Sequence, residues 1–267
     1  LNANTVTGKS LGENLDWWEA SERRQILKQK LTDLGGIDPS GVIMPREKAK
    51  SRGLTSTVTF LKGNLAPEGS LVKSTAILPK RIDSDGVYRH QGPARVITSE
   101  PAAIQAIKSG AIQPGDTMVL IGIGPGCGMP ETYQITSALK HVKDGDQIAL
   151  ITDGRFSGVS TGACIGHVSP EAWAGGPIGR IRDGDTIKIE IDTINLEGSI
   201  DIVSISSEDL QTRSRHPDLK SDPKVPKDTL LWAALQNASG GSWAGSVYDI
   251  DRITDLLEKG LKAEKSE

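Results

Sequence analysis

The sequence predicts a β-rich α+β protein: a β-barrel-like core of short strands flanked by helices. Three observations predict it. Glycine is abundant, 30 of 267 residues, while aromatics make up only 4%, a balance that suits tight turns between short strands better than a helical bundle. One turn-plus-strand pattern occurs three times, as Gly115-Asp-Thr-Met-Val-Leu-Ile121, Gly145-Asp-Gln-Ile-Ala-Leu-Ile151 and Gly184-Asp-Thr-Ile-Lys-Ile-Glu190. Each opens on a Gly-Asp turn and continues in residues that suit a strand. Patterns for long helices are few.

The elements follow in order. Asn14 or Asp16 is expected to cap a helix through Trp18, Ile26, Leu27, Leu31 and Leu34 that stops at Gly35-Gly36. A polar stretch punctuated by Gly and Pro runs to Arg52. Ser70 to Ile77 and Arg95 to Ile97 are strand candidates, and Ser99 caps a helix closed by Gly110. Of the three repeated patterns, the first two are almost wholly apolar and should be buried on both faces. The third alternates Ile with Lys and Glu, so one of its faces should meet water. A helix is expected from Glu131 to Val142, and Ile200 to Val203 adds a strand.

After Asp209 the composition shifts. His216 to Lys227 holds three prolines and many charges and is expected to be an extended connector. Helices follow around Thr229 to Gln236 and Asp249 to Gly260, and Lys262 to Glu267 should fray. Residues 1–210 are therefore expected to form the barrel domain, with 211–267 a connector and terminal helices packing on it.

The net charge of −3, with Lys and Arg scattered, offers no basic stripe for nucleic acid. No apolar run approaches the roughly 20 residues of a membrane span, and no signal-peptide pattern opens the chain. Two cysteines, Cys127 and Cys164, point to a reduced, cytoplasmic protein. Leu1 in place of Met suggests a cut within a longer chain.

Two segments place glycine and reactive side chains directly after a buried strand. In Gly122-Ile-Gly-Pro-Gly-Cys-Gly-Met-Pro-Glu131 four glycines let the backbone approach a ligand closely. The spacing forms no Gly-x-Gly-x-x-Gly and no Walker loop, so the segment is either a turn leading into a helix or a ligand-facing loop. Glu131 is either a first-turn charge satisfying the helix dipole or a ligand for a hard cation such as Mg²⁺. In Asp153-Gly-Arg-Phe-Ser-Gly-Val-Ser-Thr-Gly162, Ser157 resembles a nucleophile elbow only superficially, because Arg155 stands where glycine is required. A hydrolase triad would also need one of His90, His141, His167 or His216 nearby. Otherwise Ser157 is a turn-stabilising hydroxyl. The two cysteines are too few for an Fe–S cluster and read as small buried hydrophobes.

Gly63-Asn-Leu-Ala-Pro-Glu-Gly69, Gly92-Pro-Ala-Arg-Val96, Thr152-Asp-Gly-Arg-Phe-Ser-Gly158, Gly166-His-Val-Ser-Pro-Glu-Ala172 and Gly175-Gly-Pro-Ile178 resemble, in order, the C-terminal signatures of the dihydroxy-acid, phosphogluconate and aldonate dehydratase family. Within it, Gly124 to Lys140 and the tail from Arg215 to Asp249 look like the D-xylonate dehydratase branch. The resemblance implies a swivelling C-terminal β-barrel domain and the conversion of a 2,3-dihydroxy sugar acid, for the branch D-xylonate, to a 2-keto-3-deoxy acid. It implies Ser157 as the base that takes the C2 proton, Glu131 as an Mg²⁺ ligand, and Ser160 and Thr161 as substrate-lining residues. The family's Fe–S cluster and its other Mg²⁺ ligands belong to an N-terminal domain of the same polypeptide, expected to be missing here, so the isolated chain should be inactive. A homo-oligomer is implied as well. The competing reading is a free-standing β-barrel that binds or regulates without catalysis.

Overall fold

The computed structural model describes residues 1–52, 54, 57–157, 160–219, 226–241 and 247–265. The chain divides into two compact units, Leu1–Thr55 and Ser56–Glu267, so this division falls well before the composition shift at Asp209.

The first unit is helical: α1 (Leu11–Ala20), α2 (Glu22–Gly35), α3 (Pro39–Val42) and α4 (Arg46–Ser51). The single helix expected here is two. Ser10 caps α1 in a reciprocal capping box with Glu13, and Ser21, extended at φ −70° and ψ 134°, caps α2 by accepting from the Arg24 amide. Serine oxygens satisfy the orphan N–H groups of both first turns. Asn14, an expected cap, instead donates to Thr5 and Thr7 at 2.7 and 3.0 Å, and Asp16 lies inside α1. Gly36, left-handed at φ 59°, ends α2 as its position predicts.

The second unit is built on a closed barrel. Its elements are β1 (Thr59–Lys62), β2 (Gly69–Val72), β3 (Val87–Ile97), α5 (Glu100–Lys108), β4 (Thr117–Leu120), α6 (Tyr133–Leu139), β5 (Ala149–Thr152), β6 (Cys164–Ser169), β7 (Thr186–Asp192), β8 (Glu197–Ile202), α7 (Ser207–Thr212), α8 (Lys227–Ala238) and α9 (Ile250–Glu264). The strands close in the order β1-β2-β6-β5-β4-β3-β7-β8. The pairs β3–β4, β4–β5, β5–β6 and β1–β8 are parallel, and the pairs β1–β2, β2–β6, β3–β7 and β7–β8 are antiparallel. The β-rich α+β class and the barrel are as the sequence predicts.

Alternation explains the two cores. Val119 of β4, Ile151 of β5 and Ile187, Ile189 and Ile191 of β7 join Leu61, Tyr88 and Ile200 in one buried cluster. Met118, Leu120 and Leu150, on the opposite faces of β4 and β5, pack with Ala103 of α5 and with Ile135 and Leu139 of α6 in a second. β4 and β5 are thus buried at every position, because a parallel segment covered by helices has no wet face. β7 alternates buried and half-buried, as its Ile-Lys-Ile-Glu pattern predicts.

Several boundaries differ from expectation. Ser70 to Ile77 forms only β2, ending at Val72, before a 3₁₀ turn at Ser74–Ala76. Arg95 to Ile97 is the last part of the much longer β3. The start of the expected connector is docked: the His216 amide donates to the Gly179 carbonyl at 2.7 Å, and Leu219 packs on the barrel core. Residues 220–225 of that connector lie outside the described residues. Asp249 caps α9, which runs on to Glu264; Ser266 and Glu267 lie outside the described residues.

Candidate active site

Three consecutive parallel strands, β4, β5 and β6, deliver the loops that follow them to one end of the barrel, because parallel strands share a direction. These are the segments 122–131, 153–157 and 170–173. Asp153, the first residue after β5, is buried and ties all three together. Its carboxylate accepts the amides of Gly122 and Ile123, each at 3.1 Å, and of Ala172 at 3.0 Å. Burial outweighs these donors and pushes its carboxyl above the ordinary range.

Glu171 ties the segment after β6 to the glycine-rich loop. Both its oxygens accept the Gly126 amide, at 2.8 and 2.9 Å. Burial first, and the nearby Asp153 charge in addition, push Glu171 up to about 7 against the pull of that amide. The Trp173 indole donates to the Gly122 carbonyl at 3.1 Å. Met129 and His167 take the left-handed conformation at φ 50° and 54°, uncommon for residues with a Cβ, and the His167 amide donates to the Gly154 carbonyl at 2.8 Å.

Ser157 lines a cavity of about 340 Å³ against β2 and β6, together with Lys73, Ser160 and His167. Ser160 is buried. Its amide donates to the Ser157 carbonyl at 3.0 Å, and its hydroxyl donates to Thr136 Oγ1 of α6 at 3.2 Å. Of the four histidines considered, His167 is the one that lines this cavity; burial, then the Arg155 charge, lowers its pKa. It also lines a second cavity of about 380 Å³, with Glu68, Asp153 and Glu171.

Ser157 and Ser160 thus line one cavity, which Thr161 and Glu131 do not line. Thr161 is exposed and lines a different cavity, with Lys140 and Asp146. Glu131 is exposed and does not line the Ser157 cavity; its backbone forms a parallel bridge with Arg155, two residues before Ser157. Glu131 is not in a first helical turn, since α6 begins at Tyr133 after an N-cap at Thr132. The sequence points to no role for Glu171 or Lys73, and to His167 only as one of four histidines that a triad could use. Glu171 and His167 sit in the motif Gly166 to Ala172, which carries the signal for both. Lys73 had none. Gly158 and Val159 lie outside the described residues.

The residues of this chain do not fit an Fe–S cluster. Cys127 and Cys164 are buried among apolar side chains, as expected of small hydrophobes. Their thiols meet the Gly122 and Thr161 carbonyls at 2.9 and 3.3 Å. Burial pushes Cys164 up to about 12, away from the thiolate that a cluster needs. Among the described residues no three His, Cys, Asp or Glu side chains group to hold a metal. The Glu131 carboxylate suits a hard cation as one oxygen ligand of several.

The profile of the dihydroxy-acid/6-phosphogluconate dehydratase C-terminal region matches residues 41–241. The chain belongs to this family. It is 54% identical to the D-xylonate dehydratase YagF of Escherichia coli K12 across 98% of its own length and 42% of the relative's. It is 55% identical to YjhG, a D-xylonate dehydratase of the same organism, across 95% of its length and 40% of the relative's. A dihydroxy-acid dehydratase of Agathobacter rectalis is 44% identical across 84% of this chain and 34% of its own. The dehydratase-family chain thus spans well under half the length of these relatives. No helix among its described residues is long and apolar enough to cross a membrane.

Proposed function

We propose that this chain is the C-terminal part of a hydro-lyase that dehydrates a sugar acid of the D-xylonate class to its 2-keto-3-deoxy acid, with Ser157 as the base. The observation that supports it is the placement of Ser157, in a chain of this family, on the wall of a cavity shared with Lys73 and His167. Ser157 as alkoxide takes the proton from C2. The electrons of the C2–H bond form a C2–C3 double bond, and the C3 hydroxide leaves and takes up the proton that Ser157 removed, becoming water and restoring the alkoxide. The resulting enol tautomerises to the 2-keto acid. Lys73 supplies positive charge to the cavity, which favours an alkoxide at Ser157, and Ser160 fixes the Ser157 backbone.

On this reading Glu131 would give one oxygen to an Mg²⁺, which would supply positive charge beside the substrate's carboxylate, and Ser160 and Thr161 would line the substrate site. An Fe–S centre and the remaining Mg²⁺ ligands come from an N-terminal domain of the same polypeptide, in a cytoplasmic homo-oligomer. The test is Ser157→Ala in the full-length enzyme. We expect kcat to fall by about 10²–10⁴, the usual cost of losing a general base, with KM nearly unchanged and folding within about 0.5 kcal/mol of wild type. Near-normal kcat in a correctly loaded variant would leave Ser157 a turn hydroxyl.

A further inference from the structure

Among its described residues the helical unit Leu1–Thr55 has no buried core of its own. None of its described residues is buried, although a segment this short needs all the burial it can find. Its apolar side chains instead line a groove of about 810 Å³, where Leu27, Leu31 and Leu34 of α2 share one helical face with Trp18, Ile37 and Ile43 around them. Leu34 is 86% and Ile43 83% exposed, and a contiguous patch of this kind marks an interaction surface. Arg24, Lys28 and Lys30 of α2 also line the groove and make it basic, with Asp38 the single acid among its lining residues.

The comparisons indicate what covers it. The match to the C-terminal family region begins at residue 41, so α1 and α2 precede it. Yet two relatives match 98% and 95% of this chain, which is only 42% and 40% of their own length. The helices therefore belong to what the longer proteins share while lying ahead of their C-terminal region. We propose that this groove is the seat of the additional polypeptide those relatives carry, which presents an apolar face flanked by acidic side chains that meet Arg24 and Lys28 on one edge of the leucine face and Lys30 on the other. The proposal rests on the reading above that the chain is part of such a longer enzyme.

Hydrogen exchange read by mass spectrometry tests it, on the full-length polypeptide and on the 267-residue chain at several dilutions. We expect the amides of 22–35 to exchange at least about tenfold more slowly in the full-length protein. Leu27→Asp in the full-length protein should return them to fast exchange while β4 and β5 stay protected. Equally fast exchange in both wild-type forms overturns the proposal. So does equal protection in the 267-residue chain: if it survives dilution, the chain covers its own groove, and if dilution removes it, a second copy does. Turnover of Ser157→Ala is a separate readout. A protected α2 in an enzyme that survives Ser157→Ala keeps this surface and sinks the catalytic assignment, and the converse result does the reverse.

Discussion

The Gly126 amide sits between both carboxylate oxygens of Glu171, at 2.8 and 2.9 Å. This contact fastens the glycine-rich loop after β4 to the segment after β6. It also carries a pH dependence, because burial and Asp153 push Glu171 up to about 7. Between the ordinary carboxylate range and that value the folded chain holds a proton that the unfolded chain has released. The stability from Glu171 is therefore complete in acid and is lost as pH rises through about 7. We expect the wild type to lose roughly 2–3 kcal/mol more than Glu171→Gln between about pH 5 and pH 8, at 1.36 kcal/mol per pH unit. Asp153, raised in the same direction, leaves a residual fall in the variant. Urea unfolding at the two pH values decides it, and equal slopes would refute the assignment.

His90 acts in the opposite sense. Its Nε2 pairs with Thr117 Oγ1 at 2.8 Å inside the barrel, and burial, with the Arg81 charge, lowers its pKa to about 4. The neutral ring is favoured in the fold, so its contribution is present above the ordinary histidine value and is lost as pH falls toward 4. We expect its ring C–H resonances to stay still in NMR spectra until below about pH 5, and His90→Gln to flatten the acid limb of stability. A titration near the ordinary value would contradict this.

The space at Gly124 is already taken. A Cβ there would lie 2.5 Å from a Glu171 oxygen, 2.9 Å from Glu171 Cβ and 3.1 Å from the Asp153 carbonyl, although its φ of −74° suits any residue. Gly124→Ala should cost about 1–3 kcal/mol by overpacking. Gly260, inside α9 with nothing within 4 Å, should respond with the opposite sign, gaining about 0.5–1 kcal/mol as alanine. Thermal unfolding of the two variants compares them directly, and a neutral Gly124→Ala means the loop is not packed as described.

Glu131 separates metal binding from a local structural role. In the full-length enzyme Glu131→Gln keeps the shape and removes one charge from a hard-cation site, so the Mg²⁺ concentration for half-maximal activity should rise. Activity measured against Mg²⁺ reads this. An unshifted curve leaves Glu131 as the backbone bridge to Arg155 and nothing more.

What the sequence determined by itself is local. The Gly-Asp turns, the doubly apolar β4 and β5 and the alternating β7 follow from side-chain period and turn chemistry, which act over a few residues. So do the Ser99, Asp249 and Gly36 caps. The motif around Ser157 was legible because it is contiguous. The tertiary structure alone decided the rest. Closing the barrel pairs β1 with β8 and β2 with β6 across about a hundred residues or more of chain, and no local period encodes such partners. The parallel run of β4, β5 and β6 then brings Asp153, Glu171 and the glycine-rich loop to one end, and the packing of the barrel gives Ser157 a cavity wall shared with Lys73 and His167. Thr161 lines another cavity. The raised carboxyls of Asp153 and Glu171 belong to that level too, since burial is a property of the packed fold and no residue type carries it alone.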